Sequence, residues 1–268
     1  MVDRTGILPK SPLVLSLASV RFAPWPLIGK RIDEIHDELR EDLPLLQHFQ
    51  VQTVGPNGAP QSETASLWML MSGDRMQGVQ LSQDQILLTS RKYTRYSDFS
   101  ALIDKVLTAV LSRMKFMDVT NLGVRYVDHV KVRDGEKLEK YLCPGLLAPV
   151  FDGLQRIGGS FGGSYSLENK ELRVKCIAQP GAMSLPEDLI PWLAMTLPPN
   201  KPLQLRTLTS GECILDMDSV EQHDLPVRVI DKAVVLEKLN SLHNIANAFF
   251  RRDDVFTPHA FEIWKSEA

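Results

Sequence analysis

Residues 121–130 read NLGVRYVDHV, and about a hundred residues earlier, at 16–25, the chain reads SLASVRFAPW. Both stretches alternate apolar and polar residues and both carry Val-Arg-aromatic. Alternation with a period of two marks a half-buried strand. If SVRF (19–22) and GVRY (123–126) are one strand used twice, the elements around them should repeat too.

Working outward from 13–22, Pro24 and Pro26 end the first strand. GKRIDEIHDELREDL then places Ile32, Ile35 and Leu39 at spacings of three and four among charges, which predicts an amphipathic helix. HFQVQTV, TASLWMLM, MQGVQLS and QILLTS read as four strands, with turn signals at 55–58 and 72–74. SDFSALIDKVLTAVLSRMKF reads as a second helix with Ser97 or Asp98 as its cap. From 121 the order restarts. There is a strand, a helical piece in EKLEKYLCPGLLAPVFDGL broken at Pro144, and strands in SFGGSYSL, ELRVKCIAQ, PLQLRTLTS and ECILDMDSV. The helix DKAVVLEKLNSLHNIANAFF closes the unit. A short helix, PHAFEIWKS, follows with Thr257 as cap and Pro258 at the first position.

The fold expected is therefore α+β: two β-α-β-β-β-β-α units, residues 1–118 and 119–268, forming antiparallel sheet with helices on one face. The second unit carries an insertion near 179–201, and residues 1–12 read as a loose arm. The halves would form one continuous sheet or pack as two layers. The order resembles the duplicated topology of the TATA-box-binding protein, a likeness of topology that carries no function.

PLVLSLASVRFAP, LGVRYVDHV and LHNIANAFF followed by a Trp are also similar to motifs of a sporadically distributed family of bacterial proteins. That resemblance implies a bacterial cytoplasmic protein. It implies no activity and assigns no functional residue.

Composition narrows the classes. The chain has 268 residues, 44% hydrophobic and 24% charged, with a net charge of −3. That balance is ordinary for a globular protein and lacks the basic excess of many nucleic-acid binders. Cys143, Cys176 and Cys213 are odd in number and form no CxxC pair, so neither a disulfide framework nor a zinc knuckle is expected. No apolar run approaches the roughly 20 residues that span a bilayer, and no membrane or cofactor is expected.

Alternation assigns the sheet face away from the helices. It should carry Arg21, Gln50 and Gln52 from the first half, and Arg125, Arg173, Lys175, Gln204 and Arg206 from the second, with Asp216 and Asp218. Leu172, Val174, Cys176, Leu203, Leu205, Leu215 and Met217 should lie under the helices. A face with these cations is chemically suited to phosphates or an acidic partner. It is equally suited to cross-strand ion pairs in water. Arg21 and Arg125 would be symmetry mates, either sharing an anion or each bracing its own half through acids such as Asp128. Trp68 and Leu70 alternate with Met69 and Met71, so both faces of that strand read as apolar. Either the arm or insertion covers them, or a partner does.

Other motifs carry less. Asp-Met-Asp at 216–218 has no histidine or carboxylate cluster around it, so no metal is expected. GGSFGG (158–163) lacks the Lys-Ser/Thr ending of a phosphate loop. His243 reads as a helix-packing residue. No nucleophile-elbow Ser is present. The expectation is a non-enzymatic binding or regulatory protein acting through a protein partner at Arg21, Arg125, Arg173, Lys175, Arg206 and Trp68. Nucleic-acid binding on the arginine face is the alternative, and an enzyme or sensor for an anionic small molecule between the halves comes third.

Overall fold

The β1–β6 ladder joins the two halves of the chain. The computed structural model describes residues 3–54, 60–198 and 200–266, with side chains except at 52–54 and 60–64. The turn at 55–58 and the side chain of Gln52 lie outside that description. β1 (Leu13–Phe22) and β6 (Met117–Lys131) run antiparallel with Ser19 opposite Gly123 and Leu17 opposite Arg125. Outward from β1 lie β5 (Gln85–Ser90), β4 (Gln77–Leu81), β3 (Pro60–Met71) and β2 (Leu45–Val54). Outward from β6 lie β9 (Glu212–Val229), β8 (Lys170–Ile177) and β7 (Ser160–Leu167). Among the described residues these nine strands form one continuous antiparallel sheet.

Both Val-Arg-aromatic strands divide their residues alike. Phe22 and Tyr126 are buried with the helices, whereas Arg21 and Arg125 point to the other face. α2 (Tyr96–Met114) and α4 (Lys232–Phe250) are each 19 residues long and pack against each other over the sheet. α1 (Ile32–Leu39) buries Ile32, Ile35 and Leu39 beside α2. Its outer side is tied to α2 by Arg113 with Glu34 and Glu38, and Lys105 with Asp42 extends the tie beyond its end. Asp231 caps α4 by accepting from the Ala233 amide at 2.9 Å. Thr257 caps α5 (Pro258–Lys265) in the same manner.

Several expectations need correction. The second unit holds three strands after β6, not four. PLQLRTLTS stays out of the sheet because its backbone bonds to the insertion: Ser184 donates to Arg206, and Leu208 to Ala182. Leu205 is accordingly exposed rather than under a helix. The helical piece after β6 is reduced to 3-10 turns at Leu138–Lys140 and Pro144–Leu146. Neither Ser97 nor Asp98 caps α2, because both already lie inside it. The register of β2 puts Gln50 on the same face as Trp68, the helix side, since Gln50 pairs with Ser66 and His48 with Trp68. The N-terminal arm is pinned, not loose. Arg4 donates to the carbonyls of Arg252 and Phe256, pairs with Asp253 and lies over the Phe261 ring.

The α+β class is as expected, with α1, α2 and α4 packed on one face of the antiparallel sheet. The insertion forms α3 (Ile190–Thr196) on the opposite side. There Leu189, Trp192 and Leu208 bury Leu15, Leu17, Val127 and Ile214, together with Met69 and Met71, as a second core. So both faces of β3 at Trp68–Met71 are covered from within the chain. Trp68, 9% exposed, packs on the helix side. A Cβ at Gly29 would sit 3.1 Å from its ring, which explains the glycine in the 3-10 turn Pro26–Lys30. Among the described residues, no helix is long and apolar enough to cross a membrane.

Deleting the Trp192 ring should empty the middle of the second core. Trp192→Ala is expected to cost about 3 kcal/mol in urea unfolding, against less than about 0.5 kcal/mol for Phe151→Ala on the exposed 149–155 segment.

Candidate functional site

The arginine face is real as a groove. Arg21, Arg125 and Arg173 line about 620 Å³ of open space together with Asp188 and Asp218. Lys175 lies on the same face, opposite Asp216 in the ladder. Arg206 lies elsewhere, in the segment before β9, where it pairs with Glu212 at 2.5 Å. Trp68 is on the other side of the sheet.

Most of these cations are already engaged. Arg125 donates through Nε and Nη2 to Asp216, both at 2.7 Å, and through Nη1 and Nη2 to Asp188 at 2.5 and 3.1 Å. Burial opposes its charge, but the bonds to Asp216 and Asp188 outweigh that and raise its pKa. Asp188 belongs to the insertion, so this guanidinium clips the insertion to the sheet. Its braces are thus Asp216 and Asp188, while Asp128 faces the opposite side. Arg173 pairs with Glu171 at 2.8 Å. Only Arg21 and Lys175 of the six named residues are cations with no ion pair among the described residues.

The helix side holds a different cavity, of about 590 Å³. Its walls come from the N-terminal arm, the entry to α2, the end of β6 and the last turns of α4. β6 contributes Tyr126 and Asp128, which share the helix face because they are two residues apart. α4 contributes His243, Asn247 and Arg251, at helical spacings of four. The Tyr126 hydroxyl meets His243 Nδ1 at 2.8 Å. The imidazole stacks on Tyr96, centroids 4.0 Å apart and parallel. Tyr93 meets Tyr126 edge-on at 5.8 Å.

Burial, then the nearby Arg251 charge, pulls the His243 pKa down to about 4. The ring is therefore neutral at pH 7, and its tautomer sets which partner donates in the contact with Tyr126. Burial also pushes Tyr93 up to about 12 and raises Tyr96 and Tyr126. Asp128 is 2% exposed, and its Oδ2 has no hydrogen-bond partner. Burial, with a smaller push from Asp216, raises this carboxyl to about 8. Arg251 donates through Nε to Asn247 and through Nη2 to the Gly6 carbonyl, which leaves buried Nη1 unpartnered.

No family model matches the chain, and no curated protein matches it.

A third feature is a groove of about 1090 Å³ between α4 and the β7–β8 edge. Phe161, Tyr165, Leu167 and Leu172 line its sheet side, and Ile245, Ala248 and Phe249 its helix side. Tyr165 is 45% exposed and lies 6.1 Å from the Phe249 ring. Among the described residues, no cluster of three or more His, Cys, Asp or Glu side chains is arranged to hold a metal ion.

Sequence reasoning named His243 and quoted Tyr126, but not Asp128 as a cavity group, nor Tyr93, Tyr96 or Arg251. The signal was the period-two placement of Tyr126 and Asp128 on the buried face, where a carboxylate among apolar residues is out of place.

The carboxyl of Asp128 makes stability depend on pH. Its folded pKa lies above the ordinary 3.8, so the folded state binds the proton more tightly. That contribution is fully present below about pH 4 and is lost as the pH climbs through about 8. Asp128→Asn cannot ionise. Relative to wild type it should gain stability by up to about 1.4 kcal/mol per pH unit across that window, then level off. Urea unfolding at several pH values reads this; a difference that stays constant with pH contradicts the assignment.

Proposed function

We infer that this chain is a non-enzymatic binding protein whose partner is another protein, received in the groove between α4 and β7–β8. The observation that carries this reading is a difference between the halves. In the first half α1 stands beside α2 and buries its apolar stripe over the strands that carry Trp68 and Leu70. In the second half the ground between α4 and β7–β8 carries 3-10 turns where the first half has α1, and aromatic and aliphatic side chains such as Tyr165 and Leu167 remain exposed there. An amphipathic helix with apolar residues at the Ile32–Ile35–Leu39 spacing has the shape that such ground accepts. Aromatic anchors such as Tyr165 and Phe249 are the residue types that carry binding energy at protein interfaces.

Nucleic acid on the arginine face is the weaker reading. Arg125, Arg173 and Arg206 already face carboxylates, and Asp188 and Asp218 lie in the same groove. Phosphates would have to displace these pairs before any counterion gain is realised.

The test is affinity purification from the native host with nuclease present, comparing wild type with Phe249→Glu, Tyr165→Glu and Arg173→Glu. A stoichiometric protein partner should be retained by Arg173→Glu and weakened by either groove variant by about 2 kcal/mol, roughly thirtyfold in Kd. Groove variants that keep the partner while Arg173→Glu loses it would move the interface to the other face. Recovery of nucleic acid alone from a sample without nuclease would replace the protein-partner reading.

A further inference from the structure

The cavity under the N-terminal arm contains two buried groups of opposite chemistry that do not satisfy each other. Asp128 Oδ2 and Arg251 Nη1 both lack partners, and both residues line the same space. No ion pair joins them. Buried polar atoms are normally paired, and each one left unpaired costs free energy. A carboxyl and a guanidinium sharing one cavity without bonding are complementary to something set between them. The Tyr96 hydroxyl, with Ser100 beside it but no hydrogen bond of normal geometry, is a third unpaired group on the same wall. The remaining walls combine aromatic and aliphatic side chains, including Tyr93, Tyr126 and Phe250, with polar ones such as Thr94, Arg95, His243 and Asn247. At about 590 Å³ the space falls within the roughly 300–1,000 Å³ of small-molecule pockets.

We propose that this cavity binds a small zwitterion of the aromatic amino-acid class, its carboxylate on Arg251, its ammonium on Asp128 and its ring among the tyrosines. The unpaired Nη1 supplies a charged donor to the carboxylate, and Tyr96 adds a neutral one. Asp128 accepts from the ammonium, and the paired charge holds it ionised. The tyrosine faces take an aromatic body by offset or edge-on contact. The site is spatially separate from the protein-docking groove. The two lie on different sides of α4: the cavity uses His243, Asn247 and Arg251, and the groove uses Ile245, Ala248 and Phe249.

Four probes of similar size separate the chemistry: L-tryptophan, indole-3-propionate, tryptamine and 3-methylindole. They carry both charges, the anion alone, the cation alone and neither. In calorimetric titrations tryptophan should bind at least about tenfold tighter than either singly charged probe, and 3-methylindole weakest. Asp128→Asn should weaken tryptophan and tryptamine while leaving indole-3-propionate unchanged. Arg251→Gln should weaken tryptophan and indole-3-propionate while leaving tryptamine unchanged. Because Arg251 also holds the arm, its variant is first checked by circular dichroism. Asp128→Asn, nearly isosteric, carries the test if that variant unfolds. The proposal is overturned if no probe binds, if all four bind alike, or if Asp128→Asn leaves tryptophan affinity unchanged. Phe249→Glu serves as a control: it should leave tryptophan binding intact even where it abolishes partner binding.

Discussion

The pairing of β1 with β6 is the constraint on which the rest of this structure depends. It lies between the two halves, so its register decides which side chains of both face the helices. With Ser19 opposite Gly123, the two arginines of the Val-Arg-aromatic strands fall on one face and Phe22 and Tyr126 on the other. A slip of one residue would exchange these sets in one strand relative to its partner. It would bring a guanidinium under α4 and an aromatic ring into water. The buried positions Ala18, Val20, Leu122 and Val124 hold the register by hydrophobic burial on the helix side.

Arg125 shows how a polar residue can organise a second core. Taking a guanidinium partly out of water is costly, and the cost is offset only when its fork is filled. Asp216 from the neighbouring strand takes one edge and Asp188 from the insertion another. The insertion thereby gains a fixed position. From there Leu189 and Trp192 cover the apolar residues that β1, β3, β6 and β9 present on that side. The sheet thus has two buried faces over part of its middle, beside the open groove that Arg21, Arg125 and Arg173 line.

The elements that were legible in the sequence are those with strong local periodicity. The stripe Ile32–Ile35–Leu39 and the alternation in LVLSLASVRF name buried faces correctly. The spacing along DKAVVLEKLNSLHNIANAFF does so at Val235, Leu239, Leu242 and Ala246, but it ends on Phe249, where the structure buries Phe250. PLQLRTLTS alternates just as well, yet its backbone partners are in the insertion, and no local signal distinguishes those partners from a neighbouring strand. The fork of Arg125 was legible as an anion-binding group; that its anions would be Asp216 and Asp188 depends on tertiary contact. The helix-side cavity was least legible of all. Its groups come from the arm, the α2 entry, β6 and α4, four segments separated by tens of residues, and none carries a motif by itself. What the sequence did contain was Asp128 two residues from Tyr126 on an otherwise apolar face.

α4 is a wall common to two spaces. One side of its C-terminal half lines the cavity and the other lines the groove, so a shift or rotation of this single rigid element changes the shape of both. Were both spaces to take occupants, their occupancies would be thermodynamically linked through whatever α4 position each occupant prefers. If filling the cavity alters the grip of the groove by some factor, filling the groove must alter the grip of the cavity by the same factor. Two occupants that favour one and the same position of α4 leave each other's affinity higher. Occupants that favour different positions compete without ever touching.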